Sequence, residues 1–218
     1  MKIAIFGASG FGRELADICI EIGYTDIVFL VKDDPEIINL NNTVYQDNKK
    51  NIEDLNNMGY SFAIGIGDPK IRKLIFEKYP SLHFPNIIHP SVTFGKDQKN
   101  ALEKSKGILI TAGCRLTNNI VIGNFVLINL NTTIGHDCII EDFVSIMPNV
   151  TICGNVHIKN SAYIGCSSSI VQGTLEKKIM IGKNSTVGMG SIVLRSVKDQ
   201  ITVFGNPARE YSKTKSLD

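Results

Sequence analysis

A strict six-residue period runs through the second half of the chain. When the sequence from residue 108 is cut into blocks of six, beginning ILITAG, CRLTNN and IVIGNF, the third residue of every block is aliphatic. Neither an α-helix, which repeats about every 3.6 residues, nor a β-strand, which alternates on successive residues, produces this spacing. The aliphatic positions are Ile110, Leu116, Ile122, Ile128, Ile134, Ile140, Ile146, Ile152, Ile158, Ile164 and Ile170.

This period is typical of a hexapeptide β-helix, in which each block supplies one short strand and one turn, and three blocks complete one coil of a triangular prism. The aliphatic side chains point inward and stack on their equivalents in the next coil, about 4.8 Å away. The phase slips by one residue to Leu175 and resumes at Ile181, Val187 and Val193, so that fifteen inward positions predict five coils. We expect a first partial coil around IIHPSVTFG, followed by an inserted loop, TFGKDQKNALEKSK, which lacks the period.

The first 85 residues follow a different pattern. KIAIFG, TDIVFLV and SFAIGIG are predicted strands, and FGRELADICIEIG and DPKIRKLIFEKY are predicted helices. Strands that alternate with helices predict a parallel sheet, so this part is interpreted as a small Rossmann-like α/β domain. Residues 35–57, rich in Asn and Asp, are interpreted as a loop with at most a short helix. The chain is therefore divided into residues 1–85, residues 86–209 and a polar tail, 210–218.

Charge and cysteine content exclude several classes of protein. The formal net charge is only +2, which points neither to nucleic acid nor to a membrane surface. The five cysteines are odd in number and include no C-x-x-C pair, so reduced thiols in a cytosolic protein are expected rather than a disulfide framework or a zinc site. No apolar stretch reaches the length of a signal-peptide core or a transmembrane helix, and we expect a cytoplasmic location.

The order of these features resembles a known family. A Rossmann-like first domain, the junction IHPSV, a hexapeptide β-helix that contains GHD (135–137) and the closing GNPAR (205–209) resemble the sialic acid O-acetyltransferase (NeuD) family of sugar acyltransferases. Within it the chain looks most like the bacterial nucleotide-4-amino-sugar N-acetyltransferases of the UDP-N-acetylbacillosamine pathway type. The resemblance covers nearly the whole chain. It implies a left-handed β-helix, a homotrimer with active sites between neighbouring β-helices, and acetyl-CoA-dependent transfer to a nucleotide-linked amino sugar without a metal.

The chemistry of acetyl transfer singles out His136. An amino or hydroxyl acceptor must lose a proton as it attacks the thioester carbonyl, and imidazole titrates close to neutral pH. Gly135 is expected to leave room beside the ring, and Asp137 to fix the ring tautomer if the turn brings the two side chains together. The family's base histidine and its acidic neighbour stand here, so His136 and Asp137 are the predicted catalytic residues.

The other three histidines have simpler explanations. His157 comes one residue before an inward isoleucine and is predicted to be a solvated side chain on an outer face. His89 precedes a proline at the domain junction and is expected to make a local backbone hydrogen bond. His83 is expected in a loop.

The first domain carries the predicted contacts to the nucleotide sugar. The loop GASGFGRE joins a strand to a helix, and its glycines allow backbone N–H groups and the helix dipole to approach phosphate oxygens. A lone glycine fingerprint is weak and most often signals NAD, but this domain is too small for a full dinucleotide fold. The resemblance assigns the loop to the nucleotide sugar through Ser9, Gly10 and Phe11, although many relatives have histidine in place of Phe11.

Four further positions complete the predicted substrate site. Lys32 follows the second strand, where relatives often carry acidic residues; here those come one and two positions later. Gly67 and Asp68 end the third strand at the same sheet edge, where ligands bind in open α/β sheets, but Asp68 is equally suited to capping the next helix. Asn129 matches a family position near the acceptor. For Asn129 and Asn131 the alternative is a corner residue that tolerates left-handed backbone.

Acetyl-CoA is expected in the groove between neighbouring β-helices, held largely by backbone amides. An amide near Gly154 is suited to stabilising the thioester oxyanion, although tight corners also demand glycine for structural reasons alone. No histidine–cysteine spacing supports a covalent acyl-cysteine at Cys138 or Cys166, so direct transfer is predicted. The resemblance assigns acetyl-CoA binding to Ser145, Gly154, Cys166, Gly188, Met189 and Gly190.

Three functions remain open from the sequence. The first is N-acetylation of a nucleotide-linked 4-amino sugar, and the second is O-acetylation of sialic acid or a related sugar in the same fold. The third is a non-catalytic trimeric scaffold or sugar-nucleotide binder, against which the retained His136 and Asp137 argue. A metal-dependent hydrase of the carbonic anhydrase type would need several histidines around one site, and His136 and His157 are too few.

Overall fold

The computed structural model describes residues 1–32 and 42–211. The first part of the chain forms a four-stranded parallel sheet with the strand order β3-β2-β1-β4. The strands are β1 (Lys2–Phe6), β2 (Asp26–Val31), β3 (Val44–Gln46) and β4 (Ser61–Ile64), and the helices are α1 (Gly10–Glu21), α2 (Lys49–Asn57) and α3 (Pro69–Lys78). Asp33, Asp34 and the tail beyond residue 211 lie outside the described residues.

The glycine loop after β1 is shaped by close packing between strand and helix. Gly7 has a φ of +93°, and a Cβ on Gly12 would collide with the carbonyl oxygen of Gly7. A Cβ on Gly65, after β4, would lie 2.7 Å from the Cα of Gly12. Packing of α1 on the sheet therefore accounts for part of this glycine pattern without any ligand.

The described part of the segment predicted as a loop with a short helix, residues 42–57, holds one element that was not expected. It contains β3, which pairs with β2 in parallel, and the nine-residue helix α2. The helix begins after Asn48, whose side-chain oxygen accepts a hydrogen bond from the N–H of Asn51 at 2.9 Å. The short helix that the sequence allowed is therefore present, whereas the strand β3 was not predicted.

The second part of the chain is a β-helix of short parallel strands. Its strands are β5 (Ile87–Ile88), β6 (Thr93–Phe94), β7 (Leu109–Ile110), β8 (Arg115–Leu116), β9 (Val121–Ile122), β10 (Leu127–Ile128), β11 (Thr133–Ile134), β12 (Ile139–Ile140), β13 (Ser145–Ile146), β14 (Thr151–Ile152), β15 (Val156–Ile158), β16 (Tyr163–Ile164), β17 (Ser169–Ile170), β18 (Ile179–Ile181), β19 (Thr186–Val187), β20 (Ile192–Val193), β21 (Thr202–Phe204) and β22 (Arg209–Glu210). The predicted architecture, a small Rossmann-like domain followed by a hexapeptide-repeat β-helix, is confirmed.

Three sheets form the faces of the prism. The first face holds β5, β7, β10, β13, β16, β19 and β21, with β22 antiparallel at its end; the second holds β6, β8, β11, β14, β17 and β20; the third holds β9, β12, β15 and β18. The chain visits the faces in this order in each full coil. A corner is named below by the two faces that it joins.

The predicted inward residues form the core of the prism. Every aliphatic residue at the six-residue spacing from Ile110 to Ile170 is at most 5% exposed. The partial first coil is present as β5 and β6, and the inserted segment contains the short helix α4 (Gln98–Ala101) and a 3₁₀ turn (Leu102–Lys104). Beyond Val193, the last predicted inward position, β21 adds one further strand to the first face.

Leu175 does not occupy an inward position. Its side chain is 72% exposed, because residues 171–178 leave the prism as a loop at the second–third corner. The chain returns at β18, where Ile181 pairs with Ile158 of the coil before. The prediction for Leu175 was wrong because an aliphatic residue near the right spacing was counted as part of the repeat.

Corner residues adopt left-handed backbone at the same six-residue interval. Their φ values lie between 54° and 60°, a region that costs most L-residues about 1–2 kcal/mol and that Asn and Asp tolerate best. Five of these nine corners hold Asn or Asp. The residues are Asn119, Phe125, Asn131, Asp137, Phe143, Asn149, Asn155, Ser161 and Ser167.

The first domain packs on the first face of the prism. Leu109, Leu127 and Met147 of that face share one apolar cluster with Leu15 and Ile18 of α1. This docking covers the first face with the first domain. It leaves the second–third corner on the opposite side of the prism.

Arg72 of α3 ties the two domains together. Its side chain is 1% exposed and donates to the carbonyl oxygens of Phe143 and Val144 at 2.9 and 3.0 Å, and to that of Phe125 at 3.3 Å. Desolvation lowers the pKa of Arg72 to about 9, which still leaves the guanidinium charged at neutral pH.

Candidate active site

The second–third corner of the prism carries an ionisable pair between β11 and β12. Asp137 has a φ of +60°, which turns its side chain back toward His136. Oδ2 of Asp137 lies 2.7 Å from Nδ1 of His136, so the contact that the sequence left open is present. The imidazole is half exposed, with 50% of its surface accessible. When Nδ1 donates its proton to this carboxylate, Nε2 is the ring nitrogen that remains free to accept one.

Two residues hold Asp137 from its other sides. Asn119 occupies the same corner one coil earlier and donates from Nδ2 to Oδ1 of Asp137 at 2.6 Å. Lys178 donates from Nζ to the main-chain carbonyl of Asp137. The hydrogen bond from Asn119, followed by that with His136, lowers the pKa of Asp137. The carboxylate is therefore ionised throughout the neutral range.

Gly154 faces the imidazole from the coil that follows. A Cβ at this position would lie 2.6 Å from both Cε1 and Nε2 of His136, so only glycine leaves the ring where it is. Gly135 was expected to provide this room, but a Cβ there would instead lie 2.7 Å from the backbone nitrogen of Gly154. Gly135 serves the stacking of successive coils, and Gly154 makes the space beside the imidazole.

An open cleft with a volume of about 480 Å³ lies at the carboxyl ends of β1 and β2. Ser9 and Lys32 line it, as do Gly7 and Ala8 of the glycine loop. This is the sheet edge at which ligands bind in open parallel α/β sheets. The structure therefore brings two of the predicted substrate residues to one cleft.

Asp47 lines the same cleft and was not predicted. It directly follows β3, within the segment interpreted as a loop, and its side chain is only 6% exposed. Oδ1 accepts a hydrogen bond from the hydroxyl of Tyr79 at 2.9 Å and lies 3.5 Å from Nζ of Lys78. The sequence signal for Asp47 is an acidic residue at the end of a strand. This signal could not be used because β3 was not predicted.

Comparison with known proteins identifies the family. Residues 2–79 match the model of the PglD N-terminal domain. The chain is 31% identical over 157 residues to GDP-perosamine N-acetyltransferase of Escherichia coli O157:H7. The aligned residues make up 70% of this chain and 68% of that protein. The chain belongs to the family of nucleotide-amino-sugar N-acetyltransferases. The resemblance seen in the sequence is thereby confirmed.

Solved structures of this kind superpose on nearly the whole chain. WeeI from Acinetobacter baumannii AYE is 30% identical with a TM-score of 0.80, covering 97% of this chain and 100% of that one. The acetyltransferase domain of PglB from Neisseria gonorrhoeae FA1090 is 26% identical with a TM-score of 0.83, covering 96% and 99%. The order of the two domains is therefore shared with these relatives over their full length.

The positions expected to bind acetyl-CoA in this N-acetyltransferase differ in whether their backbone N–H groups have a hydrogen-bond acceptor. Those of Gly154, Cys166 and Met189 come directly before a corner and have no acceptor among the residues that the structure describes. Gly188 and Gly190 instead donate to carbonyl groups of neighbouring coils at 2.8 Å. Three of the predicted amides are thus available to a ligand.

Ser145 does not fit the predicted role in acetyl-CoA binding. Its side chain is 0% exposed, and its N–H donates to the carbonyl of Ala162 in the next coil. The hydroxyl donates to the carbonyl of Gly67 at 2.7 Å and accepts from Arg72 at 2.8 Å. Because Ser145 points outward on the first face, which the first domain covers, it joins the two domains.

Several predicted substrate residues also serve the structure. Phe11 packs with the apolar cluster between α1 and the prism, and Gly10 is the first residue of α1. Asp68 caps α3, since its Oδ1 accepts from the N–H of Lys70 at 2.7 Å and from the next N–H at 3.2 Å. The carbonyl of Gly67 accepts from Arg72 at 2.9 Å. The capping alternative for Asp68 is therefore present.

Asn129 and Asn131 both follow β10 but differ in role. Asn131 is a left-handed corner residue with a φ of +57°, as the structural alternative predicted. Asn129 is only 7% exposed, and its Oδ1 accepts from the N–H of Leu130 at 2.7 Å and from the hydroxyl of Thr111 at 3.2 Å. Both asparagines lie at the first–second corner, whereas His136 lies at the second–third corner.

The remaining histidines are engaged elsewhere. Nδ1 of His89 accepts a hydrogen bond from the N–H of Ser91 at 3.0 Å, which confirms the predicted local bond. His157 lies on an outer face but is only 22% exposed and pairs with Glu141 at 2.6 Å, so it is less solvated than predicted. His83 is exposed in a loop, as expected.

Neither a metal site nor a membrane span is found within residues 1–32 and 42–211. No group of three or more His, Cys, Asp or Glu side chains has a metal-binding arrangement there. In the same residues, each helix is too short or too polar to cross a bilayer.

Proposed function

We propose that this protein transfers the acetyl group of acetyl-CoA to the 4-amino group of a nucleotide-linked amino sugar. The observation that carries the proposal is the 2.7 Å contact between Asp137 and Nδ1 of His136, which leaves Nε2 to accept a proton beside Gly154, whose amide has no acceptor among the described residues. The named relative from Escherichia coli supports it, because its substrate is GDP-perosamine. The PglB domain, which is 25% identical in its complex with acetyl coenzyme A, supports the choice of donor.

Each step of the transfer has a residue suited to it. The amine nitrogen attacks the thioester carbonyl carbon while Nε2 of His136 takes a proton from the amine. Asp137 stabilises the imidazolium that forms, and the N–H of Gly154 is available to stabilise the oxyanion of the tetrahedral intermediate. When this intermediate collapses, the C=O bond forms again and the C–S bond breaks, and the imidazolium gives its proton to the departing thiolate of CoA. The products are the N-acetylated sugar nucleotide and free CoA.

The positions of these parts favour a site shared between copies of the chain. The cleft with Ser9 and Lys32 belongs to the domain that packs on the first face, whereas His136 stands at the opposite corner of the prism. The free amides of Cys166 and Met189 lie at the first–second corner, away from Gly154. The site would be completed by a neighbouring copy whose second–third corner lies against the cleft and the first–second corner of this copy. This arrangement is in keeping with the expected homotrimer.

A panel of acceptors tests the reaction itself. Purified protein is supplied with acetyl-CoA and with GDP-, UDP- or dTDP-linked 4-amino sugars, free sialic acid or CMP-sialic acid, and thiol release is followed together with the mass of the product. An amide product with one amino sugar is expected. An ester product with a sialic acid alone would move the protein to O-acetylation. Donor binding without thiol release from any acceptor would contradict catalysis and favour a scaffold.

Subunit complementation tests the shared site. His136→Ala and a cleft variant, Lys32→Glu, are each expected to be inactive alone. Co-expression of the two chains is expected to restore activity, because a mixed oligomer contains an intact cleft on one chain beside an intact His136 on another. Mixed oligomers that stay as inactive as the parent variants would show that the site lies within one chain.

A further inference from the structure

The carboxylate of Asp137 has a partner on each oxygen. Oδ2 contacts Nδ1 of His136 at 2.7 Å, and Oδ1 accepts from Nδ2 of Asn119 at 2.6 Å. We propose that Asn119 is a positioning residue, which acts on His136 through Asp137, and that Lys178 secures the same aspartate through its main-chain carbonyl. This inference rests on the proposed role of His136 as the base.

The repeat itself brings Asn119 to Asp137. The two residues are 18 positions apart, which is three blocks of six, so they occupy the same corner in successive coils. Both have left-handed backbone, with φ values of 55° and 60°, and their side chains therefore leave the prism in the same direction. Asparagine at this position offers an N–H donor to the carboxylate above it, whereas an aspartate would repel it.

The second hydrogen bond changes what the carboxylate can do. A carboxylate on an exposed corner with one partner is free to rotate about its last bond, and rotation breaks its contact with the imidazole. Asn119 fixes the plane of the carboxylate, so that Oδ2 faces Nδ1 at all times. The imidazole then keeps its proton on Nδ1 and presents an unprotonated Nε2 to the acceptor.

Lys178 reaches this corner because the repeat is interrupted. Residues 171–178 form the loop that leaves the prism at the second–third corner. The loop folds down on the coil below, where the N–H of Gly173 donates to the carbonyl of Gly154 at 3.0 Å and that of Ile179 to the carbonyl of Asn155 at 3.1 Å. Lys178 extends one coil further to the carbonyl of Asp137. The interruption thus braces the corner that holds the base.

Two variants with matched controls test the positioning. Asn119→Ala is compared with Asn184→Ala, an exposed corner residue with a φ of +55° at the third–first corner, and Lys178→Met is compared with its exposed neighbour Lys177→Met. We expect Asn119→Ala to lower kcat about tenfold, a typical effect for a residue that orients a functional histidine, with KM for both substrates unchanged. Lys178→Met should lower kcat by a smaller factor. The controls should match the wild type.

The ring tautomer provides a readout that does not depend on turnover. In ¹⁵N-histidine spectra, with the His136 signals assigned by their loss in His136→Ala, the wild type should show the Nδ1–H tautomer. Asn119→Ala should show a mixture of tautomers, and Asn184→Ala should not. If Asn119→Ala retains both the tautomer and the kcat of the wild type, the positioning role is wrong. A wild type that shows the Nδ1–H tautomer but acetylates no acceptor would contradict the proposed function alone.

Asn119→Asp adds a pH signature. The introduced carboxylate faces Asp137, and two carboxylates at this distance share one proton at low pH and repel each other when both are ionised. The loss of kcat should therefore grow as the pH rises, whereas Asn119→Ala should show a constant loss. A profile for Asn119→Asp parallel to that of the wild type would also overturn the inference.

Discussion

Two corners of the same prism have the same backbone and different functions. At the third–first corner, Phe125 and Phe143 have φ values of 54° and 59° and stack with their ring centroids 5.2 Å apart. Phe76 of α3 packs 4.6 Å from Phe125, so this corner docks the first domain. At the second–third corner, Asn119 and Asp137 adopt φ values of 55° and 60° and hold an imidazole at the surface.

The difference shows that the six-residue repeat specifies the backbone and leaves the role of each corner to its side chains. Bulky residues are uncommon at positive φ, so two stacked phenylalanines there indicate that packing against the first domain compensates the backbone cost. At the other corner, Asn and Asp suit the backbone, and their polar groups are free to orient His136. One corner should therefore govern stability, and the other catalysis.

The largest effect on stability is expected from Phe143→Ala. Loss of a buried aromatic side chain typically costs about 3–5 kcal/mol, and this one also removes the stacking partner of Phe125. The free energy of unfolding, measured by denaturant titration, should fall by that amount. The kcat per folded molecule should not change.

Ser161→Ala is the control for this substitution. Ser161 lies at the same corner with a φ of +57° but takes no part in the aromatic stack. The free energy of unfolding of Ser161→Ala should therefore fall by no more than about 1 kcal/mol. If Phe143→Ala lowered kcat per folded molecule as strongly as it lowers stability, the proposed separation between the two corners would fail.

Gly154→Ala should lower kcat and leave the stability almost unchanged. The added Cβ would lie 2.6 Å from the imidazole of His136, and the half-exposed ring can move aside at little cost in stability. A displaced base is expected to lower kcat on the order of 10- to 100-fold. The kcat is measured by the initial rate of thiol release, and the stability by thermal unfolding of the same sample.

Gly123→Ala is the comparison for this variant. Its Cβ would lie 2.7 Å from the backbone nitrogen of Asp142 near the third–first corner, where the neighbouring coil cannot move aside. It should lower stability more than Gly154→Ala does. A loss of stability in Gly154→Ala equal to that in Gly123→Ala would contradict the interpretation of Gly154 as a residue that makes room for the base.

The smallest effect is expected in the cleft at the carboxyl ends of β1 and β2. Asp47→Asn removes a charged acceptor from the cleft wall and should weaken binding of the sugar nucleotide about tenfold, without changing KM for acetyl-CoA. Asp26→Asn is the control, since Asp26 also accepts from a tyrosine, Tyr60 at 2.7 Å, but at the other edge of the sheet. If calorimetry shows that Asp47→Asn binds the sugar nucleotide as tightly as the wild type does, Asp47 is not part of the binding site.

The sequence predicted those features that depend on local pattern. A buried aliphatic residue every six positions is visible as a period, because each block meets the same core. The pair of His136 and Asp137 was visible because two adjacent residues need only one corner to meet. The contact between them followed from the left-handed backbone at Asp137.

The features that the sequence did not show depend on distant contacts. Ser145 was assigned to acetyl-CoA, since nothing in the repeat reveals that the first domain covers its face. Asn119 was overlooked because its partner is three blocks away, although counting in sixes from Asp137 would have found it. Leu175 was placed in the core because spacing alone does not separate an inward residue from a loop tip.

The central claim, that the second–third corner is the catalytic one, is tested most directly by amine-dependent thiol release in His136→Ala beside His157→Ala. Both histidines pair with a carboxylate, at 2.7 and 2.6 Å, but only His136 stands at this corner. Loss of a general base should lower kcat by about 10²- to 10⁴-fold in His136→Ala, whereas His157→Ala should retain the wild-type rate. Undiminished turnover in His136→Ala would contradict the account.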